Sequence, residues 1–165
     1  MMTETIILLC LVALMLVWWL WRLIAARSRR DTGGVPERAI VVDGSNVMHW
    51  GGGPSGKVLV KVLRSLSKQG HVPIVFFDAN VGYKLGDGYF DEARMAKLTG
   101  FPQKHILVAH KGVSADEWIL DFASRHGLRV VSNDRFRDWT VQYPIVKEKG
   151  RMMRGTYRQG AVVWR

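Results

Sequence analysis

The sequence predicts an α/β domain of three layers, with a central, mostly parallel sheet and helices on both faces, preceded by one transmembrane helix. Two observations and one general rule predict it. Short β-branched runs alternate with amphipathic stretches of helical period from residue 38 onward. Right-handed crossovers between such strands place the helices on both sides of a sheet. Residues 6–21 are sixteen apolar residues without a break, which is membrane chemistry rather than core chemistry.

The apolar run sets the domain plan. Arg22 interrupts it and residues 23–26 resume it, so residues 6–26 would span about 31 Å as a helix, one hydrocarbon thickness. Trp18, Trp19 and Trp21 sit where an interfacial aromatic belt belongs, and Arg22 is close enough to the end to snorkel. A cleaved signal peptide would begin with Lys or Arg, and this chain begins Met-Met-Thr-Glu-Thr. Residues 5–27 are therefore expected to cross the bilayer. Arg27, Arg29 and Arg30 follow the span and no basic side chain precedes it, so the N-terminus is expected outside and the remainder in the cytoplasm. Residues 28–37 read as a linker and 38–165 as the folded domain, 128 residues, enough for one core.

Within that domain, residues 39–42 form the first buried strand. Residues 55–68 follow as a helix. Val58, Leu59, Val62, Leu63 and Leu66 make its apolar face, while Lys57, Lys61, Arg64 and Lys68 form a stripe opposite. Residues 73–77 give the second strand, 87–99 a weaker helix closed by Gly100, and 106–109 the third strand. Residues 114–126 are a helix stopped by Gly127, and 129–131 the fourth strand. Residues 152–157 and 161–164, joined through Gln159-Gly160, read as a hairpin.

Composition narrows the function. The net charge of +10, from 24 Lys plus Arg against 14 Asp plus Glu, points to an anionic partner, nucleic acid or anionic lipid. One Cys, at position 10, excludes an internal disulfide and any multi-Cys zinc site. The five His have no ligand spacing, so no zinc is expected. Gly51-Gly52-Gly53 lacks the Lys-Ser/Thr of a phosphate loop, so no nucleotide cofactor is expected.

Ligands of parallel sheets bind at the carboxyl ends of the strands, and acids gather there. The first strand ends in Asp43-Gly44-Ser45-Asn46, the second in Asp78-Ala79-Asn80, and the fourth in Ser132-Asn133-Asp134, with Asp138 four residues on. Were that last segment helical, Asp134 and Asp138 would share a face. Asp116 and Glu117 open the helix before the fourth strand. One acid at a strand end is ordinarily a cap or turn residue. Several at one edge are different, because two carboxylates about 5 Å apart repel by roughly 3 kcal/mol at an effective dielectric near 20. A cation would offset this, and oxygen-only donors favour Mg²⁺ or Mn²⁺. A basic surface around an acidic metal pocket suits phosphodiester cleavage.

Ile40-Val41-Val42-Asp43-Gly44-Ser45-Asn46-Val47, then Asp116-Glu117, then Val130-Val131-Ser132-Asn133-Asp134-Arg135-Phe136-Arg137-Asp138 resembles the NYN ribonucleases of the PIN-like nuclease superfamily, and in particular the Regnase-type catalytic domain. The resemblance implies a PIN-like fold, a metal-dependent ribonuclease and single-stranded RNA as substrate. It implies Asp43, Asp116, Asp134 and Asp138 as metal ligands, and Asn46 as the residue that orients Asp43 or the scissile phosphate. Glu117 departs from the family's second aspartate. It completes Ser114-x-x-Glu117, a capping box, and reads as a cap before a ligand. Asp78 reads equally as ligand or turn residue. The CCCH zinc finger of eukaryotic relatives is absent. PIN-like domains often pair, so a homodimer is an expectation.

Contacts to nucleic acid are expected from Lys57 and Lys61, which topology puts nearest the pocket, from Arg135 and Arg137 between the acids, and from Trp50 by base stacking. Trp139 reads as packing, and His49 as incidental. Two rival readings remain. One is an inactive RNA-binding tether on the same fold. The other is a phosphatase with Asp43 as nucleophile, disfavoured because Ser45 stands where such enzymes need a second Asp.

Overall fold

The computed structural model describes Met15, residues 34–86 and residues 88–165. Among these residues no helix is long and apolar enough to cross a membrane. The span expected at 5–27 lies, Met15 apart, outside the described residues, as does Cys10. Residues Glu37–Arg165 form one compact unit.

Strand β1 (Ala39–Asp43) is buried along its whole length. It is followed by a single helical turn, α1 (Gly44–Val47), and by α2 (Gly56–Lys68). Then come β2 (Val72–Phe77), α3 (Val81–Leu85), α4 (Glu92–Thr99), β3 (Ile106–Val108), α5 (Ala115–His126), β4 (Val130–Val131) and β5 (Met152–Met153). Strands β6 (Gly155–Arg158) and β7 (Ala161–Trp164) form an antiparallel hairpin.

The main sheet has five parallel strands in the order β3-β2-β1-β4-β5. The strand order reverses between β1 and β4, which is where such sheets bind ligands. Register aligns Asp43 with Phe76 and Val42 with Val131, so β1, β2 and β4 end at the same edge.

Alternation along the strands divides the core. Ile40, Val42, Val75, Phe77 and Val131 face the apolar stripe of α2, where Val58, Leu59, Val62, Leu63 and Leu66 are buried. Phe76 points the other way, onto Trp118 and Phe122 of α5 at ring-centroid distances of 5.1 and 5.4 Å. The helices thus cover both faces of the sheet. Ser55, Asp91 and Ser114 cap α2, α4 and α5, each accepting a bond from a backbone N–H three residues on. Gly127 ends α5 in the left-handed conformation.

Three sequence expectations are corrected. The helix expected over 87–99 is Glu92–Thr99, because Asp91 caps it, and a separate turn, Val81–Leu85, precedes it. Met152 and Met153 leave the hairpin and pair with Val130 and Val131 as the fifth strand of the main sheet. Asp134 and Asp138 do not share a helix face: Phe136 takes φ +46° and turns the chain, so only Arg137–Trp139 makes a 3-10 turn. The hairpin turn at Gln159 and Gly160 has positive φ at both residues, as a two-residue turn requires.

Candidate active site

Asp43 is the last residue of β1 and is 6% exposed. Its Oδ1 accepts the backbone N–H of Asn46 at 2.9 Å and so caps α1. Its Oδ2 accepts the Ser132 hydroxyl at 2.8 Å. The single turn of α1 begins on Gly44 for a steric reason. A Cβ there would lie 2.2 Å from Cε1 of Phe77, so glycine alone lets the chain bend over β2 directly after the acid.

Each residue of Ser132-Asn133-Asp134 has a distinct task. The Ser132 hydroxyl donates to Asp43 and accepts the backbone N–H of Asp134 at 3.0 Å, which binds the ends of β1 and β4 together. Asn133 pairs with Gly155 through two bonds: its Nδ2 donates to the Gly155 carbonyl at 2.8 Å and its Oδ1 accepts the Gly155 N–H at 3.2 Å. Asp134 accepts the Phe136 N–H at Oδ1, 2.7 Å, which holds the left-handed Phe136 in place.

Asn46 does not orient Asp43 with its side chain; its backbone does. Its Oδ1 accepts from Trp50 Nε1 and from the Asn133 N–H, both at 3.0 Å. Two donors on one atom fix which end of the amide is oxygen, so Nδ2 is left to donate elsewhere. Ser45 Oγ accepts the Asp78 N–H at 2.9 Å and ties the end of β2 to the same edge.

Together these elements open a cleft of about 410 Å³ whose walls include Asp43, Asp78, Asp116, Asp134, Asn46 and Lys84. Four carboxylates share its field. Burial pushes Asp43 from an ordinary 3.8 up to about 7, against the opposing hydrogen bonds from Asn46 and Ser132; the charges of Asp116 and Asp78 push it the same way as burial. Asp116, at the start of α5, is also raised, first by burial and then by Asp134 and Asp78. Lys84 pairs with Asp78 at 3.3 Å, the one cation salt-bridged to a cleft acid among the described residues.

The expected site residues divide. Asp43, Asn46, Asp116 and Asp134 line one cleft, and Asp78 joins them. Asp138 is exposed and does not line the cleft. Glu117 is in the first turn of α5, where its N–H bonds the Ser114 hydroxyl at 3.4 Å, and its side chain borders a different cavity. Trp50 is not a free stacking surface. It is 7% exposed, bonded to Asn46, and edge-on to Trp164 at 5.7 Å. Lys57 and Lys61 are exposed but line a separate groove with Arg64 and Leu98, away from the acids. Arg135 and Arg137 are exposed and make no ion pair among the described residues. Lys84 and Ser45 escaped the sequence reading. Lys84 lies on a five-residue helix with no periodicity to reveal it, whereas Ser45 stood in plain view inside Asp43-Gly-Ser-Asn.

Residues 36–162 match the family described as the Zc3h12a-like Ribonuclease NYN domain. The chain belongs to this family. Its fold is also similar to that of two solved structures of the Arabidopsis thaliana nuclear protein-only RNase P 2 (PRORP2). One is 16% identical over 91% of this chain and 34% of that one, with a TM-score of 0.61. The other is 18% identical over 77% of this chain and 29% of that one, with a TM-score of 0.60. At these identities the likeness is one of fold, and the chain spans about a third of the length of those proteins. No curated protein matches it. The family is one of RNA-cleaving nuclease domains, which are hydrolases, and the chain carries it on an α/β fold with a five-stranded parallel sheet.

The cleft fits a hard divalent ion in its donor set, which is carboxylate oxygen. Among the described residues no three acidic, imidazole or thiol groups already stand in ligating arrangement. Mg²⁺ does not need that: it keeps several waters and takes one or two carboxylates directly. Asp43, short of solvent and crowded by Asp116 and Asp78, is the acid that most needs a cation to remain charged at neutral pH.

Proposed function

We propose that this chain is a membrane-anchored, divalent-metal-dependent ribonuclease that cleaves single-stranded RNA on the cytoplasmic side. The observation that carries the reading is the convergence of Asp43, Asp78, Asp116 and Asp134 on one cleft at the switch point of the sheet, in a chain of net charge +10. Asp43, Asp116 and Asp134 would hold Mg²⁺ or Mn²⁺, with Asp78 beside them. A bound divalent cation supplies Lewis acidity and offsets the charge that builds on a phosphodiester.

The chain's own groups do the rest. Ser132 and the Asn46 backbone hold both Asp43 oxygens in fixed directions. Asn46 Nδ2, its oxygen end already occupied, is the neutral donor available to a phosphate oxygen. Lys84 supplies a cation at the rim. The exposed stripe of Lys57, Lys61 and Arg64 attracts the RNA backbone from a distance and touches nothing that reacts. The unbroken apolar run at 6–21 and the arginines after it support the anchor and its orientation.

The test is incubation of the full chain in detergent with end-labelled single-stranded RNA in Mg²⁺, Mn²⁺ or EDTA, beside Asp43→Asn. Cleavage that needs metal and is lost in the variant is the expected result. Cleavage unaltered in the variant overturns the site. Salt-sensitive RNA binding without cleavage makes the chain a tether. Protease added outside intact cells should leave residues 38–165 undigested.

A further inference from the structure

A second cavity, of about 450 Å³, adjoins the acid cleft: Val113 and Ser114 border both. Its character is different. Trp118 and Tyr143 contribute aromatic surface to it, and each is half-buried and braced. Trp118 stands edge-on to Phe76 at 5.1 Å, and Tyr143 lies against Trp139 at 6.1 Å.

Two carboxylates also line it. Asp121 is engaged by the Arg125 guanidinium through both oxygens. Glu117 is not engaged. The capping box that its spacing suggests is half made: the Ser114 hydroxyl takes the Glu117 N–H, while among the described residues no hydrogen bond or ion pair occupies the Glu117 carboxylate. Arg125 and His110 complete the lining, but Arg125 is spent on Asp121, so the free charge an incoming group meets is the Glu117 carboxylate, which with aromatic walls does not suit a second phosphate. It suits a nucleobase.

We infer that this cavity takes one unpaired base of the RNA, next to the phosphodiester in the acid cleft, and that the Glu117 carboxylate reads it. This rests on the ribonuclease reading above. The carboxylate sets the preference by elementary complementarity. It only accepts hydrogen bonds. Guanine offers two adjacent donors, N1–H and the 2-amino group, that match its two oxygens. Cytosine and adenine offer a single amino group beside a ring acceptor, and uracil one N–H between two carbonyls. The site therefore favours guanine, and stacking on Trp118 and Tyr143 adds affinity that no base is denied.

The test separates base reading from cleavage. Fluorescence anisotropy of the full chain in EDTA is read with labelled oligouridylate carrying a single G, A or C, or none. The expected result is about tenfold tighter binding of the G oligomer than of oligouridylate, the scale of one bidentate contact. Glu117→Gln should reduce that ratio below about threefold. Tyr143→Ala should weaken all four oligomers together and keep the ratio. Thermal melting monitors the fold of each variant. Equal affinity for all oligomers, with cleavage in Mg²⁺ intact, overturns the base site and leaves the nuclease standing. A G preference that survives Glu117→Gln overturns the role of Glu117. A preference lost in Glu117→Gln supports the inference even in a chain that does not cleave.

Discussion

Asp43→Asn should stabilise the metal-free protein while abolishing its activity. The reason is the position of Asp43, buried at the end of β1 with its carboxyl raised to about 7. Between 3.8 and about 7 the folded state holds a proton that the unfolded chain releases. Stability therefore falls as pH rises through that window, and stays low above it. At about 1.4 kcal/mol per pH decade, the interval sets a ceiling on the order of 4 kcal/mol at pH 8. The amide keeps the Asn46 bond but must donate to Ser132 where the carboxylate accepted, so about half the ceiling, ~2 kcal/mol, is a fair expectation. For a domain of this size that raises Tm by about 8 °C. The assay is thermal unfolding of the full chain in EDTA at pH 5 and pH 8, then with Mg²⁺. The variant's advantage should be large at pH 8 and less than half as great at pH 5. Mg²⁺ should raise the Tm of the wild type and leave the variant nearly unmoved. Equal Tm values at pH 8 in EDTA, with an equal response to Mg²⁺, would refute the reasoning that burial and neighbouring acids hold Asp43 in an unfavourable charge state.

Three more outcomes follow from the same geometry. Ser132→Ala removes a hydroxyl that serves Asp43 and the Asp134 N–H; urea titration should show a loss of about 2 kcal/mol, and cleavage should fall with it. Gly44→Ala forces a methyl into the Phe77 ring and should cost about 2–3 kcal/mol by overpacking, read as a lower urea midpoint at unchanged slope. Asn133→Ala deletes both bonds to Gly155; hydrogen exchange should quicken across residues 155–164 while the amides of β1 and β2 keep their protection.

The strands and long helices were legible because their signals are local. The five buried positions of β1 are contiguous, and the stripe of α2 repeats at helical spacing. Asp43, Asp116 and Asp134 were legible through their motifs and their place at strand and helix ends. What failed depended on contacts distant in sequence. Trp50 looks free in sequence because nothing local shows that Trp164, 114 residues on, packs against it. Lys57 and Lys61 follow the Asp43 loop in sequence, but α2 carries them to a groove of their own. Met152 and Met153 look like part of a hairpin, and only β4 recruits them to the sheet. The spacing of Ser114 and Glu117 suggests a capping box, but only the Ser114 half of it forms: Ser114 takes the Glu117 N–H, and the Glu117 carboxylate caps nothing, which no spacing rule foretells.

The Ser132 hydroxyl bridges residues 89 positions apart, and Asn133 is fastened to Gly155 a further 22 along. Contacts this distant form only after the intervening chain has been made. On a ribosome, β1 and β2 can pair while β4 is still unsynthesised, but Asp43 then has no Ser132 and the cleft has no Asp134. The acids meet only once β4 has been made and Ser132 has reached Asp43. A domain wired in this way cannot build its acid cleft piecemeal: the cleft closes only when β4 has joined β1.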